Sequence, residues 1–463
     1  MYVSRLRIRE IRGFHGDRNV DLTLTRPDGT HAGWTVLAGR NGSGKTTLLK
    51  SLALALAGPD TAAALEPALW KWRTEEKTRG TVEVDVLLDQ QEARRYFSPG
   101  KSPDHSIHAS VGFSLPSLEK VPNSRKRRGQ QFVITWKNKK HLTPAQKEDW
   151  EGPAGDSLWQ DKPDNWFCAG YGPFRRLSNG TLGSQRIAEE GTADTVQLIT
   201  LFHEGASLAE SVNWLISQHL RRLEERPGAK ELLDTVFALL SDGLLPDGYR
   251  VNDVNSEGLW VTRDDRKFAL SEMSDGFRTV TAVIVDLVRN MERTYGKLEL
   301  KVRNGVPTID LPGVVLVDEI DAHLHMSWQQ RIGVWLKTHF PLVQFIVTTH
   351  SPYICQAADP GGLIRLPGPG EDAPPRIVDE DLYHRVVYGS GDDAALSELF
   401  GLDSPYSPTA EALRREVGEL EGRVLTGEAT AEEIVHYQQL SRILSSSMSA
   451  RVDEVSARLR RPH

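Results

Sequence analysis

Eight consecutive residues, Gly39-Arg40-Asn41-Gly42-Ser43-Gly44-Lys45-Thr46, fit the pattern G-x-x-x-x-G-K-[ST] in full. Glycines at this spacing let successive backbone N–H groups turn into one concavity that cradles phosphates. Lys45 adds a mobile point charge for the β- and γ-phosphate oxygens. The Thr46 hydroxyl is a Mg²⁺ ligand in such a loop, and Thr47 lies beside it against the phosphates. Far along the chain, Val314-Val315-Leu316-Val317 runs into Asp318-Glu319. An acid at the end of a buried strand suits Mg²⁺, held through water because that ion keeps much of its hydration shell. Glu319 is then placed to orient or deprotonate an attacking water. Alone, the glycines would be a turn and the acids a helix cap. Together they predict ATP and Mg²⁺ as ligands and hydrolysis as the reaction.

Two further segments complete the set. Thr348-Thr349-His350 follows the next apolar run, so His350 is placed to hydrogen-bond a γ-phosphate and sense its loss. A lone histidine is more often structural, and this assignment rests on its position one strand after Asp318-Glu319. Ser274-Asp275-Gly276 opens a helix between the two phosphate motifs. Ser274 and the amides at that helix start suit a γ-phosphate presented by another subunit. Read alone, the same residues are an N-cap.

The elements that must position these groups are legible as hydrophobic patterns. Residues 2–24 alternate in two runs and predict a β-hairpin, and residues 81–88 predict another strand. Trp34 to Leu37 predicts a short buried strand before the loop, and Leu48 to Ala57 a helix after it. Short apolar runs at 314–317 and 345–347 predict buried parallel strands. Residues 194–244 and 277–293 have helical spacing. Leu259–Val261 and Phe268–Leu270 flank a charged turn and predict a hairpin. Residues 366–375 are rich in Pro and Gly and predict a linker. Ser407 with Pro408, and Thr430 with Glu433, predict capped helices in the tail, where Leu440, Leu444, Met448, Val452, Val455 and Leu459 form one stripe.

The 463 residues are 39% hydrophobic and 26% charged, ordinary for a globular chain with room for two or three lobes. A net charge of −7 gives no bulk affinity for nucleic acid, although local patches remain free to bind it. Lys120 and Arg125–Arg128, with Lys137, Lys139 and Lys140 after them, are such a patch, so DNA is a candidate partner. Cys168 and Cys355 are at no metal-ligand spacing and suit a reducing cytoplasm. The charged N-terminus lacks the apolar core of a secretion signal. No apolar run of ~18 residues is present to span a membrane.

In this order and spacing, the four motifs resemble those of ABC ATPases, and most of all the soluble branch with the SMC, RecF and OLD-family ATPases. Ile8, Ile11, Arg12, Gly13 and Phe14 resemble the opening of that branch. Ser274-Asp275-Gly276 resembles its signature motif, and Asp321-Ala322-His323-Leu324-His325 its D-loop. Ala169-Gly170-Tyr171-Gly172-Pro173 resembles the region that replaces the Q-loop in bacterial defence ATPases such as that of Septu, which is partnered with an HNH nuclease. The resemblance implies an α/β ABC-ATPase head, a P-loop parallel sheet with an antiparallel β subdomain, plus a helical subdomain and a helical tail. It implies two sites completed head to tail in a homodimer or higher even-numbered oligomer. It also implies an effector partner, a nuclease or toxin. Expected boundaries are 1–90 for the first part of the head, 91–165 for an insertion with the basic loop, and 166–262 for the helical subdomain. The second part of the head is expected over 263–368, and linker and tail over 369–463. Nothing between the first loop and the signature is long enough for an SMC coiled-coil arm. The residues after His350 read as helices and not as the metal-dependent nuclease domain of OLD proteins, so no nuclease activity of its own is expected. Rival expectations are an ATPase that clamps DNA directly and an ATP-bound scaffold with little turnover.

Overall fold

Strands that are apolar on both faces require a sheet covered on both sides, and two such strands carry the acidic pair and the histidine. β13 (Gly313–Val317) and β14 (Val343–Thr349) are buried at every residue. The computed structural model describes residues 1–75, 78–88, 107–115, 131–137, 166–175, 193–245 and 248–444. In it β13 and β14 pair in parallel at the centre of a sheet. The sheet also contains β3 (Gly33–Ala38), β7 (Cys168–Tyr171), β15 (Leu363–Arg365) and β16 (Arg376–Ile377), in the order β16-β15-β3-β14-β13-β7. All neighbours are parallel except β15 and β16. The expected helical subdomain at 166–262 therefore starts too early: Cys168–Tyr171 belongs to the head as an outer strand beside β13.

A second sheet is antiparallel, in the order β2-β1-β4-β5-β6. It is built from β1 (Tyr2–Arg9), β2 (Val20–Thr23), β4 (Gly80–Leu88), β5 (Ile107–Leu115) and β6 (Gln131–Lys137). The expected insertion at 91–165 thus contributes two strands that continue this sheet. Lys120, Arg125–Arg128, Lys139 and Lys140 lie outside the described residues. The helix Lys45–Ala57 lies between the two sheets, with every residue buried except Thr46, Thr47 and Lys50. A helix apolar on all sides can sit only in such a place.

One buried side chain joins the two sheets. The register of β1 against β4 slips between Val3 and Arg5. Gln344 of β14 reaches across: its carbonyl oxygen accepts from the Val3 N–H at 2.8 Å, and its amide donates to the Val3 carbonyl at 2.9 Å.

The helices Ala193–Phe202, Ala209–Leu223 and Ala229–Ser241 form the helical part. Next to them are β8 (Arg250–Asn255), β9 (Gly258–Arg263) and β10 (Arg266–Ala269). β9 and β10 make the expected hairpin, closed by Asp264 and Asp265, both at positive φ, as a two-residue turn requires. The signature helix runs Asp275–Tyr295 and buries Val280, Ile284, Leu287, Val288 and Met291. Its Asp286 is buried. The carboxylate accepts from Tyr171 of β7, Ser211 and Asn290, and desolvation holds its pKa above the usual carboxylate range. A small hairpin, β11 (Leu300–Arg303) with β12 (Val306–Ile309), leads into β13.

The expected linker at 366–375 is packed structure. Arg18 donates to the carbonyls of Gly368 and Glu371, each at 2.7 Å, and of Pro367 at 3.2 Å. Arg365 pairs with Glu371 at 2.5 Å. Proline and glycine serve close approach here. The compact unit containing the head accordingly extends to Ala394, and a second unit begins at Ala395. That unit holds the helices Pro408–Leu425 and Ala431–Leu444. Ser407 caps the first through the Ala410 N–H, and Thr430 and Glu433 exchange the two bonds of a capping box. Leu440 is buried and Leu444 half-buried, while Met448, Val452, Val455 and Leu459 lie outside the described residues.

Gln344→Leu would keep the volume but strand a buried amide and a buried carbonyl of Val3. The cost should be roughly 2–6 kcal/mol, since each of the two unsatisfied buried polar groups costs about 1–3 kcal/mol. The urea midpoint should fall clearly below wild type. An unchanged midpoint would show that the two sheets do not need this link.

Candidate functional site

The phosphate loop connects β3 to the helix starting at Lys45, so its shape is fixed at both ends by buried elements. Gly44 adopts φ +95°, and a Cβ there would lie 2.6 Å from Cζ of Phe14. Only glycine satisfies both conditions. Phe14, part of the opening motif, thereby forms the floor of the loop. The outer wall comes from the segment misread as a linker: a Cβ on Gly39 would meet the Leu366 carbonyl at 2.6 Å.

Inside the loop, Lys45 Nζ donates to the carbonyls of Gly39 at 2.7 Å and Arg40 at 3.1 Å. Desolvation pushes its pKa down to about 8, opposed by the negative charges of Asp318, Glu319 and Asp321. The Ser43 hydroxyl is buried without a hydrogen-bond partner. Thr46 and Thr47 are half-buried at the helix start, and Arg40, Asn41 and Gly42 are exposed at the rim.

The parallel register of β13 on β14 pairs Val317 with Val347, which sets Asp318 beside Thr348. The Thr348 hydroxyl donates to Asp318 Oδ1 at 2.6 Å and accepts the Glu319 N–H at 2.7 Å. Glu319 has φ +46°, a left-handed backbone that non-glycine residues seldom adopt. Asp321 Oδ1 accepts from the Thr349 hydroxyl at 2.5 Å and from the His350 N–H at 3.3 Å. His350 is exposed. Desolvation, then the Lys45 charge, holds its pKa below the ordinary imidazole value, which favours the neutral ring. Lys45, Asp318, Glu319, Asp321 and His350 thus form one electrostatic cluster.

Ser274 occupies the N-cap position of the signature helix, but its side chain makes no capping bond. Ser274 and Asp275 are exposed. A Cβ on Gly276 would lie 2.5 Å from the His323 carbonyl, so the signature segment rests on the D-loop backbone. His325 caps the next short helix by accepting from the Ser327 N–H. His323 contributes its carbonyl and His325 its side chain to this local packing, and no group of three or more His, Cys, Asp or Glu placed to hold a metal ion occurs among the described residues.

One residue of this site has no sequence signature. Arg175 is buried, and its guanidinium donates to the carbonyls of Gly172 at 3.0 Å, Asp318 at 2.7 Å and Glu319 at 2.9 Å. The Asp318 and Glu319 acceptors are backbone atoms distant in sequence, so no spacing rule finds them.

The donor set fits a triphosphate with a hydrated divalent cation. It offers a concave run of amides at a helix N-terminus, an ammonium, an unpartnered buried hydroxyl, and one buried carboxylate held by a threonine. Mg²⁺ needs few protein ligands because it keeps several waters.

Two family models match in overlapping stretches. Residues 147–356 match "AAA domain, putative AbiEii toxin, Type IV TA system", and residues 5–161 match a second AAA domain model. The chain is 42% identical over 273 residues to "Retron Ec83 probable ATPase" of Escherichia coli, covering 55% of this chain and 47% of that one. It is 32% identical over 183 residues to the Septu protein PtuA of Bacillus thuringiensis, covering 37% of this chain and 43% of the relative. The chain thus spans less than half the length of these curated relatives. Among solved structures, an SMC head bound to the C-winged helix domain of ScpA aligns over 82% of this chain and 98% of that one. Its identity is 14% and its TM-score 0.43. The motifs, their order, and these matches identify a P-loop ATPase region over residues 5–356, similar to the ATPases of retron and Septu systems.

Proposed function

We propose that this chain binds ATP with Mg²⁺ at a site shared by two copies, hydrolyses it, and uses the cycle to control a nuclease or toxin partner in antiphage defence. The observation that carries the reading is the clustering of Lys45, Asp318, Glu319 and His350 at the phosphate loop. The similarity to Septu and retron ATPases supports the defence setting, and the separate helical unit after Ala395 offers a surface for assembly.

MgATP, when bound, supplies the scissile anhydride and the cation that spreads its charge. Lys45 would leave the carbonyls of Gly39 and Arg40 for the β- and γ-phosphate oxygens. Asp318, oriented by Thr348, would hold the metal's water shell. Glu319 would orient the attacking water and accept its proton. Neutral His350 would hydrogen-bond the γ-phosphate. Ser274, unused within its own chain, would reach the γ-phosphate of a second copy.

Lys45→Ala should weaken ATP binding, because it removes a phosphate contact. Glu319→Gln should bind ATP as wild type does while kcat falls ~10²–10⁴-fold, the usual effect of losing a general base. Equilibrium binding beside steady-state turnover separates the two, and wild-type kcat in Glu319→Gln would reject the hydrolytic assignment.

Mixing Lys45→Ala with Ser274→Arg protein should leave one intact composite site per dimer and restore part of the activity. If the two inactive proteins never complement and neither inhibits wild type, the shared-site reading is wrong.

Lys45 also predicts a pH signature. Its folded pKa is about 8, below that of the unfolded side chain. The unfolded chain therefore holds more protons above about pH 8, and this group's contribution to stability rises with pH through that window. Phosphate should return the proton affinity to the lysine. Calorimetry at about pH 8.5 in buffers of different ionisation enthalpy should show proton uptake on ATP binding. Lys45→Arg, whose charge is permanent, should abolish it. Equal uptake in the variant would place the titration elsewhere.

A further inference from the structure

We infer that Arg175 is a positioning residue for hydrolysis: its guanidinium fixes the backbone turn at Asp318–Ile320 and so aims the Glu319 carboxylate. This rests on the hydrolytic role proposed for Glu319.

The turn has two sides. On the amide side, Thr348 holds it: its hydroxyl takes the Glu319 N–H at 2.7 Å and its carbonyl takes the Ile320 N–H at 3.1 Å. On the carbonyl side, Arg175 holds it. One terminal nitrogen donates to the Asp318 carbonyl at 2.7 Å and the Glu319 carbonyl at 2.9 Å, and the other to Ile320 at 3.4 Å. Its Nε donates to the Gly172 carbonyl at 3.0 Å, which anchors the fork at the end of β7. Between the two supports, Glu319 is kept at φ +46°. Such a backbone persists only where the surroundings over-determine it.

Arg175 is 5% exposed, and no carboxylate pairs with it among the described residues. Its charge is answered at longer range by Asp318, Asp321 and Glu319, while burial pushes its pKa down to about 10. A planar fork with several rigid donors can serve three successive carbonyls at once, which an ammonium cannot do. The side chain therefore links the Tyr171–Arg175 segment directly to the backbone that carries Glu319.

The test compares Arg175→Lys and Arg175→Gln, each alone and combined with Glu319→Gln, by ATP affinity and single-turnover rate. Alone, each substitution should lower the rate roughly 10–100-fold through misplacement of the reacting group, with ATP affinity close to wild type. On the Glu319→Gln background neither should lower the residual rate further, because the carboxylate they aim is already gone. A merely structural arginine would lower both backgrounds by the same factor, or act through affinity, and either result overturns the inference. Unchanged turnover in a folded Arg175→Gln protein overturns it too. So does failure of both variants to fold, which would mark the arginine as a structural plug. Wild-type turnover in Glu319→Gln by itself would instead reject the underlying hydrolytic reading.

Discussion

Lys45 is a charged group in a place that disfavours charge. Its ammonium is buried, bonded to two carbonyls, and held below the proton affinity of an ordinary lysine. A bound anion would raise that proton affinity again. The arrangement therefore amounts to a demand for negative charge at the start of a buried helix. Both sheets serve that demand. The antiparallel sheet covers one side of the helix Lys45–Ala57 and the parallel sheet the other, and together they fix the helix that presents the loop.

The acids answer the lysine through strand register. β13 and β14 are aligned so that the residue after Val317 lies beside the residue after Val347. A slip of one residue would turn every side chain to the opposite face. Asp318 would then lose the Thr348 hydroxyl and Glu319 the same group at its amide. Because both strands are buried on both faces, such a slip would also displace many apolar contacts at once. The hydrophobic packing of two short strands is thus what secures the alignment of the polar groups at their ends.

Much of this was legible in the sequence because the motifs are local. The loop at 39–46, the acids at 318–319 and the helix caps of the tail each occupy a few consecutive residues whose types state their own geometry. Four features were not legible, each for a physical reason. Cys168–Tyr171 is a four-residue outer strand without β-branched residues, so its composition does not distinguish it from a loop. Arg250–Asn255 is mostly polar and buries only Val251 and Val254, so its composition does not announce a strand. The segment 366–371 has the proline and glycine content of a linker, yet those residues allow close packing beside the phosphate loop. Arg175 meets backbone carbonyls far away in the chain, and a carbonyl has no residue type to recognise.

The signature segment adds a constraint that runs between motifs. Gly276 lies against the His323 carbonyl with no side chain between them. His323 stands two residues from Asp321, whose carboxylate holds Thr349 and His350. A contact made of backbone against backbone has no rotamer with which to absorb a displacement, and close-packed interiors pass such strain on. The segment Ser274–Gly276 is therefore mechanically continuous with the groups around the phosphate loop. The close approach exists because residue 276 has no Cβ.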